Sequence, residues 1–413
     1  MNTFLELVRS QLEADSRQLS ERLRSAARRS PRRSVSRIIT IADMREAARS
    51  RLPRSVFDFV DGGALDEVTL ARNRRDFDEL ELHPNYLVDV ATVSTATSVL
   101  GTRIAVPIIS APTGLQGLVH HDGEVAMANA VHRLGSIYTI ASRPTYALEE
   151  VAARAAGPKW MQMYVSPDRD RVKSTLRRGR EAGYSALVVT IDGPRGGLRE
   201  RDMRSGFTIP PRVSLRSIAS GVRHPAWTAG FLKYQRYVPA IDPPGPDGNA
   251  VELLSERWAR QLDASLTWDD LSWLRDEWGG PFLVKGILRV DDAVRAARIG
   301  ASGVIVSNHG GRQLDGAPST ISVLSSIAAA VGDELDVILD SGVRRGTDVV
   351  KALALGARAC LVGRAPLYGL AVGGEDGAYR SLEILADEVE NCMALIGAPT
   401  VEAIKTVAPV MSK

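Results

Sequence analysis

The sequence predicts an α/β chain folded as a (β/α)8 TIM barrel, with helices ahead of it and a long insertion after the fourth strand. Two observations predict this. From Val106 onward, eight short β-rich runs alternate with amphipathic helical stretches over about 250 residues, the size and rhythm of such a barrel. The ends of these runs carry polar residues and glycines, and barrel enzymes keep their chemistry at the C-terminal ends of their strands. A doubly wound open sheet fits less well, because no Gly-x-Gly-x-x-Gly follows the first strand.

Ahead of the barrel, Ile41–Arg51 and Ser55–Asp61 read as helices interrupted at Pro53, and are expected to cap the barrel base or edge. The strands are expected at Val106–Pro112, Ile137–Ser142, Lys159–Tyr164 and Ala186–Asp192, then Pro281–Gly286, Gly303–Asn308, Asp336–Ser341 and Cys360–Ala365. Between them Glu124–Gly135, Asp168–Gly183, Asp291–Gly300 and Thr347–Gly356 have helical periodicity. The rhythm breaks once, over residues 193–267, a stretch too long for an ordinary loop and rich in Pro, Gly and Arg. It follows the fourth strand on the face where barrel active sites lie, which predicts a lid or docking element. Within it Asp242-Pro-Pro-Gly-Pro246 predicts a turn-rich stretch.

Composition narrows the function. The 413 residues carry a formal charge of +3, and the first forty hold nine Arg against four acids. The rest is therefore slightly acidic, with no field suited to nucleic acid. Residues 1–39 form a basic extension in which Leu5, Val8, Leu12, Leu19 and Leu23 recur at helical spacing. It reads as a solvated or oligomer-contacting helix, with a membrane-surface anchor as the lesser reading. No apolar run reaches bilayer-spanning length and no signal-peptide core opens the chain. Cys360 and Cys392, far apart in apolar surroundings, read as reduced core thiols.

The densest chemistry lies at Gly303-Val-Ile-Val-Ser-Asn-His-Gly-Gly-Arg-Gln-Leu-Asp315. An apolar strand ending in His309, two glycines and Arg312 is poor structure and good catalysis. His309 can take a proton near neutral pH, and Arg312 can fork onto an anionic substrate beside it. The other five histidines lack such company; His120-His121 reads as a loop or helix cap, with no third ligand at metal spacing. The remaining strand ends carry Pro112-Thr113-Gly114, Ser142-Arg143, Gln162-Met163-Tyr164, Thr190 with Asp192 and Arg199, Lys285, Ser307, Asp340 to Arg344, and Gly363-Arg364. Lys285 in an apolar strand needs an electron-rich partner. Glycines plus Arg344 and Arg364 after strands seven and eight make a phosphate cradle. A phosphate there, with Lys285, Gln162 and Thr190 along the floor, suits FMN.

These motifs make residues 40–405 resemble the FMN-dependent 2-hydroxy acid oxidases and dehydrogenases, such as glycolate oxidase, lactate oxidase and mandelate dehydrogenase. Ser307 to Asp315, Leu283-Val-Lys-Gly286 and Gly342-Val-Arg-Arg-Gly-Thr-Asp348 carry the resemblance. It implies a barrel that holds FMN, oxidises a 2-hydroxy acid, passes electrons to oxygen, a quinone or a carrier, and commonly forms a homotetramer. It implies that His309 is the base, Arg199 and Arg312 clamp the carboxylate, Tyr164 bonds the substrate oxygen and Asp192 supports the imidazolium. FMN would touch Pro112, Thr113, Gly114, Ser142, Gln162 and Thr190, then Lys285, Ser307, Asp340, Gly342, Arg344, Gly363 and Arg364. No metal is implied, and the location is cytoplasmic or peripheral to the inner face of the membrane.

Three positions depart from the common pattern. Phe59 stands where a Tyr usually bonds the substrate carboxylate, Arg143 at a variable substrate-facing position, and Gly114 where Ala is common, leaving space near the flavin. They predict a substrate larger than lactate, aromatic or with a second polar group for Arg143. A membrane-associated dehydrogenase would use Trp227, Phe231, Tyr234 and Tyr237 of the insertion as an interfacial foot.

Overall fold

The structure, a computed structural model, describes residues 35–208, 215–234, 262–406 and 409–411. Eight parallel strands close into a barrel: β1 Ile108–Ser110, β2 Tyr138–Ile140, β3 Lys159–Met163, β4 Ala186–Thr190, β5 Phe282–Ile287, β6 Gly303–Val306, β7 Asp336–Leu339 and β8 Ala359–Val362. All eight expected strands are present, each shorter than its apolar run by a residue or more, except β5, which gains Ile287. The polar residues that end each run have left the ladder to form the mouth.

Strand alternation sorts the side chains. Ile109, Trp160, Val188, Leu283, Ile305, Ile338 and Leu361 fill the barrel interior as one buried cluster. Their neighbours Ile108, Met161, Leu187, Val284, Val304, Leu339 and Cys360 face outward into the larger core beneath the helices. Two residues beyond an inward residue the chain points inward again, one layer higher. That step carries Trp160 to Gln162, Val188 to Thr190, Leu283 to Lys285, Ile305 to Ser307 and Ile338 to Asp340. A polar layer therefore sits on an apolar plug headed by Trp160, which is 1% exposed.

The base is closed by a hairpin of Thr97–Val99 and Thr102–Ile104, whose Val99 and Ile104 join the interior cluster. The expectation for the preceding helices is corrected here. The Arg54–Asp61 helix lies at the opposite end, where the carbonyls of Phe59, Val60 and Gly62 accept hydrogen bonds from Arg312 and Arg364. Those carbonyls end the helix without intrahelical partners, and two guanidiniums at the barrel mouth satisfy them. The Ile41–Arg51 helix packs along the long Arg364–Leu395 helix. Residues 1–34 lie outside the described residues, and Val35, the first described residue, is 4% exposed.

In the insertion, helices span Glu200–Ser205, Leu215–Arg223 and Pro225–Tyr234. The aromatic foot is corrected in part. Trp227 and Phe231 stack on each other and pack against the main core, and the Trp227 indole donates to the Leu118 carbonyl. Among the described residues of the insertion, Leu198, Met203, Val222, Leu232 and, from the expected foot, Tyr234 are left outward, 64%, 72%, 75%, 64% and 43% exposed. Tyr237 and Asp242 to Pro246 lie outside the described residues. No helix among the described residues is long and apolar enough to cross a membrane. Cys360 and Cys392 are buried free thiols, and burial pushes Cys392 up to about 11.

Candidate active site

His309 ends β6 in the left-handed region (φ 60°), followed by Gly310 and Gly311 at 66° and 72°. Three such residues in a row turn the chain sharply, and side chains could not follow. A Cβ on Gly310 would meet Arg364 Nη1 at 2.7 Å, and one on Gly311 would meet the Leu70 backbone at 2.7 Å. The turn aims the imidazole back over the mouth. Its Nδ1 lies 2.8 Å from Asp192 Oδ1 and its Nε2 3.1 Å from the Tyr164 hydroxyl. Burial alone would raise the Asp192 carboxyl, but His309 and then Lys285 outweigh it and hold it below the usual range. Burial and the Asp192 charge keep the Tyr164 phenol protonated well into base. Asp192 therefore stays an anion that fixes the imidazole tautomer, leaving Nε2 to exchange a proton.

The inward polar layer forms a connected floor. Lys285 Nζ donates to Ser307 Oγ and sits 2.8 Å from Asp340 Oδ2, while Ser307 donates to that same oxygen. Burial would discharge the lysine; the charges of Asp340 and Asp192 overcome that and hold it protonated. The electron-rich partner that Lys285 required is thus Asp340. Gln162 donates to Thr190 and accepts from the Ser142 N–H, so strands two to four share one network.

Five arginines line the same pocket: Arg143, Arg199, Arg312, Arg344 and Arg364. Desolvation, then repulsion from Arg199 and Arg364, hold Arg312 well below the ordinary arginine value. Burial lowers Arg143 to about 10, with Arg199 adding to the shift, and its guanidinium lies 5.6 Å over the Tyr164 ring. Positive charge crowded in this way calls for anions. The pocket has about 1210 Å³ of empty space, part of it open to solvent.

Most of the expected site residues line this one cavity. Phe59, Arg143, Tyr164, Arg199, His309 and Arg312 do, on the substrate side. So do Pro112, Thr113, Gly114, Ser142, Gln162, Lys285, Asp340, Gly342, Arg344, Gly363 and Arg364. Asp192, Thr190 and Ser307 stand one step behind it, bonded to His309, Gln162 and Lys285. Arg199 is shared with Asp202, 3.2 Å from its Nε. Phe59 stacks on Phe207 at 4.4 Å and lies under Arg312. Gly114 lines the pocket, and a Cβ there would meet the Arg143 carbonyl at 3.1 Å.

Other residues escaped the sequence reading. Val60, Leu115, Val119, Ser341, Val343 and Leu367 line the pocket. Most are apolar and carry no chemical signature. Ser341 had one signal, its place in Asp340-Ser-Gly after a strand; it takes a φ of 80° and its hydroxyl accepts from Gly310 N–H. Asn308 and Asp315, inside the densest motif, do structural work. Asn308 exchanges amide hydrogen bonds with Asn73, and Asp315 accepts from the Val68 and Thr69 N–H groups. An anion at that helix start caps orphan donors and ties the His309 loop to the Val68–Asp78 helix.

The FMN-dependent dehydrogenase family profile matches residues 48–408. The chain is 41% identical over 376 residues to a putative L-lactate dehydrogenase of Mycobacterium tuberculosis, covering 90% of this chain and 89% of that one. Among solved structures it is similar to the monotopic membrane protein (S)-mandelate dehydrogenase, with a TM-score of 0.85 and 38% identity. That match covers 89% of this chain and 98% of the other. It is also similar to mandelate oxidase with (S)-4-hydroxymandelic acid, with a TM-score of 0.80, 37% identity and coverage of 91% and 99%. A floor of Gln162, Thr190 and Lys285 beside paired arginines and glycines suits a flavin ring and one phosphate, and the cofactor is FMN. The chain belongs to the FMN-dependent dehydrogenase family, the 2-hydroxy acid oxidases and dehydrogenases that its motifs resemble.

Proposed function

We propose that this protein oxidises a 2-hydroxy acid larger than lactate to its 2-oxo acid, with His309 as base and Arg199 and Arg312 as carboxylate clamps. The observation that carries the reading is His309 Nε2 at 3.1 Å from the Tyr164 hydroxyl, with Asp192 at 2.8 Å behind it and both arginines on the same pocket. Gly342, Arg344, Gly363 and Arg364 would hold the FMN phosphate, and Pro112 to Gly114, Ser142, Gln162 and Lys285 its ring, with Thr190, Ser307 and Asp340 holding these in place. Bound FMN supplies a two-electron acceptor beside a cation that favours its reduced anion. The chain does the rest. Arg199 and Arg312 orient the carboxylate, Tyr164 bonds the substrate oxygen, and His309 Nε2 takes a proton, from the hydroxyl in a hydride route or from Cα in a carbanion route. Asp192 then neutralises the imidazolium.

Substrate size rests on Phe59 and Arg143. Phe59 cannot donate the hydrogen bond a tyrosine would, a loss of roughly 1.5–3 kcal/mol for a charged partner. Its stack with Phe207 offers an aromatic wall, and Arg143 a second cation. Phe59→Tyr should therefore lower the KM for lactate or glycolate, and wild type should prefer an aromatic or more polar acid. If glycolate or lactate already reacts as efficiently as any larger acid, the size assignment is wrong.

The deciding experiment is anaerobic bleaching of the flavin by a panel of 2-hydroxy acids, with oxygen and then a quinone admitted afterwards. No bleaching by any of them would overturn the function; fast reoxidation by oxygen marks an oxidase, and by quinone alone a dehydrogenase. A membrane-associated dehydrogenase is the second reading. Its support is the likeness to monotopic mandelate dehydrogenase and the outward Val222 and Leu232. Sedimentation with vesicles, lost on deleting residues 216–237, tests it. We assign residues 193–267 the role of lid, and the assembly as a homotetramer.

A further inference from the structure

Beside the pocket, the loop after β1 carries a second cluster of ligating side chains that the hydroxy acid chemistry does not use. His120, His121 and Asp122 are half-buried, and none of them lines the cavity. The sequence reading found no third ligand at metal spacing; Asp122, the residue next to the pair, turns its carboxylate back toward both imidazoles. Asp122 Oδ2 lies 3.7 Å from His120 Nδ1 and 3.5 Å from His121 Nε2. One ligand atom from each of the three falls within 4.8 Å of the others. Tetrahedral bonds of 2.0–2.1 Å place neighbouring ligand atoms about 3.3–3.4 Å apart. Both Asp–His edges are within a few tenths of an ångström of that, and the His–His edge lies within 4.8 Å, so turning the two imidazoles toward each other would close the site.

The structural alternative is that Asp122 caps the Gly123–Arg133 helix. It occupies the N-cap position, yet its side chain makes no capping hydrogen bond. The imidazoles are held in place: they stack on each other at 4.3 Å, and the Tyr234 ring stacks on His121 at 4.3 Å and 7°. Tyr234 and Trp227 belong to the same insertion helix, and the Trp227 indole donates to Leu118, two residues before His120.

We propose that His120, His121 and Asp122 bind one divalent transition-metal ion of the zinc type, which pins the Pro225–Tyr234 helix to the barrel. Two imidazoles and one carboxylate select zinc-like ions over magnesium or calcium, which take all-oxygen shells. Three protein ligands at a half-exposed site leave the fourth position to water. Two features limit the affinity. The Asp122 N–H donates to His120 Nδ1 at 3.3 Å, a bond that metal on that nitrogen displaces, and Arg51 lies near enough to repel a cation. Binding weaker than in four-ligand structural sites follows.

The test uses tag-free holoenzyme stripped with chelator and titrated with zinc sulfate, and separately with cobalt chloride. One zinc per chain should bind and raise Tm, since a ligand of the native state stabilises it. Cobalt should give visible bands of a site with nitrogen and oxygen ligands. His121→Gln and Asp122→Asn should each weaken zinc binding by at least about tenfold, while flavin content and turnover stay at wild-type level. His132→Gln, on the neighbouring helix, should bind as wild type. Absence of saturable zinc binding by wild type, or unchanged binding in both ligand variants, overturns the proposal. The flavin-bleaching experiment is independent of either result.

Discussion

His309→Ala should retain FMN and lose reduction of the flavin by substrate by about 10²–10⁴-fold, the usual span for removal of a positioned base. The expectation rests on a chain of contacts rather than on the residue alone. Asp192 is held ionised within 2.8 Å of Nδ1, so the imidazole is oriented. Asp192→Asn should act in the same direction, because an amide cannot stabilise an imidazolium as an anion does. The readout is anaerobic stopped-flow at 450 nm or so, with the FMN-to-protein ratio confirming that the cofactor stays. A His309→Ala enzyme that is reduced at the wild-type rate would make the residue structural.

Lys285→Ala should be the most destabilising single change at the site. It leaves Asp340 as a buried anion without its partner, a situation that costs about 3–5 kcal/mol in comparable pairs. The pH dependence carries the signature. In wild type, Asp340 sits below its ordinary value: burial pushes it up, but Lys285 and Ser307 pull it further down. Its contribution is present above the unfolded carboxyl pKa and is lost as acid protonates it through the lower folded value. Lys285 is raised, so its contribution is present below the unfolded lysine pKa and is lost as base removes the proton through the higher folded value. The pair therefore stabilises the whole neutral range. In Lys285→Ala the burial of Asp340 is opposed only by the hydrogen bonds from Ser307 and the Ser341 N–H, so its pKa rises and the stability gained between acid and neutral pH should shrink relative to wild type. Thermal unfolding of both proteins between acid and neutral pH checks this, and Lys285→Ala with wild-type Tm and slope would show that the ion pair contributes nothing. Asp340→Asn in the Lys285→Ala background should recover part of the loss, since no buried charge remains.

Much of this was legible in the order of residues. Strand periodicity is local, so alternation along Lys159–Met163 or Phe282–Ile287 already separates inward from outward positions. The position of a residue at a strand end is also local, and in a barrel all strand ends meet at one face. That is why Tyr164, Lys285, His309, Arg312, Asp340 and Arg364 could be assigned to one cavity from residues two hundred positions apart. Contacts set by where separate elements dock were not legible. Nothing local says that the Arg54–Asp61 helix ends over the mouth instead of the base, since the carbonyls that decide it have no side-chain signature. The same holds for Trp227 and Phe231, whose aromatic character suits a membrane surface and a protein core equally.

The sequence by itself determined the architecture, the cations that line the pocket and the cofactor class, because each is written in residue type at a fixed offset from a strand. Only the tertiary structure decided which polar groups act as partners. It joined Lys285 to Asp340. It gave Asn308 and Asp315 to the Val68–Asp78 helix and the Arg143 carbonyl to the Leu115 N–H. Pairing is a matter of a few ångströms between side chains on different elements, and spacing along the chain does not fix distances of that kind.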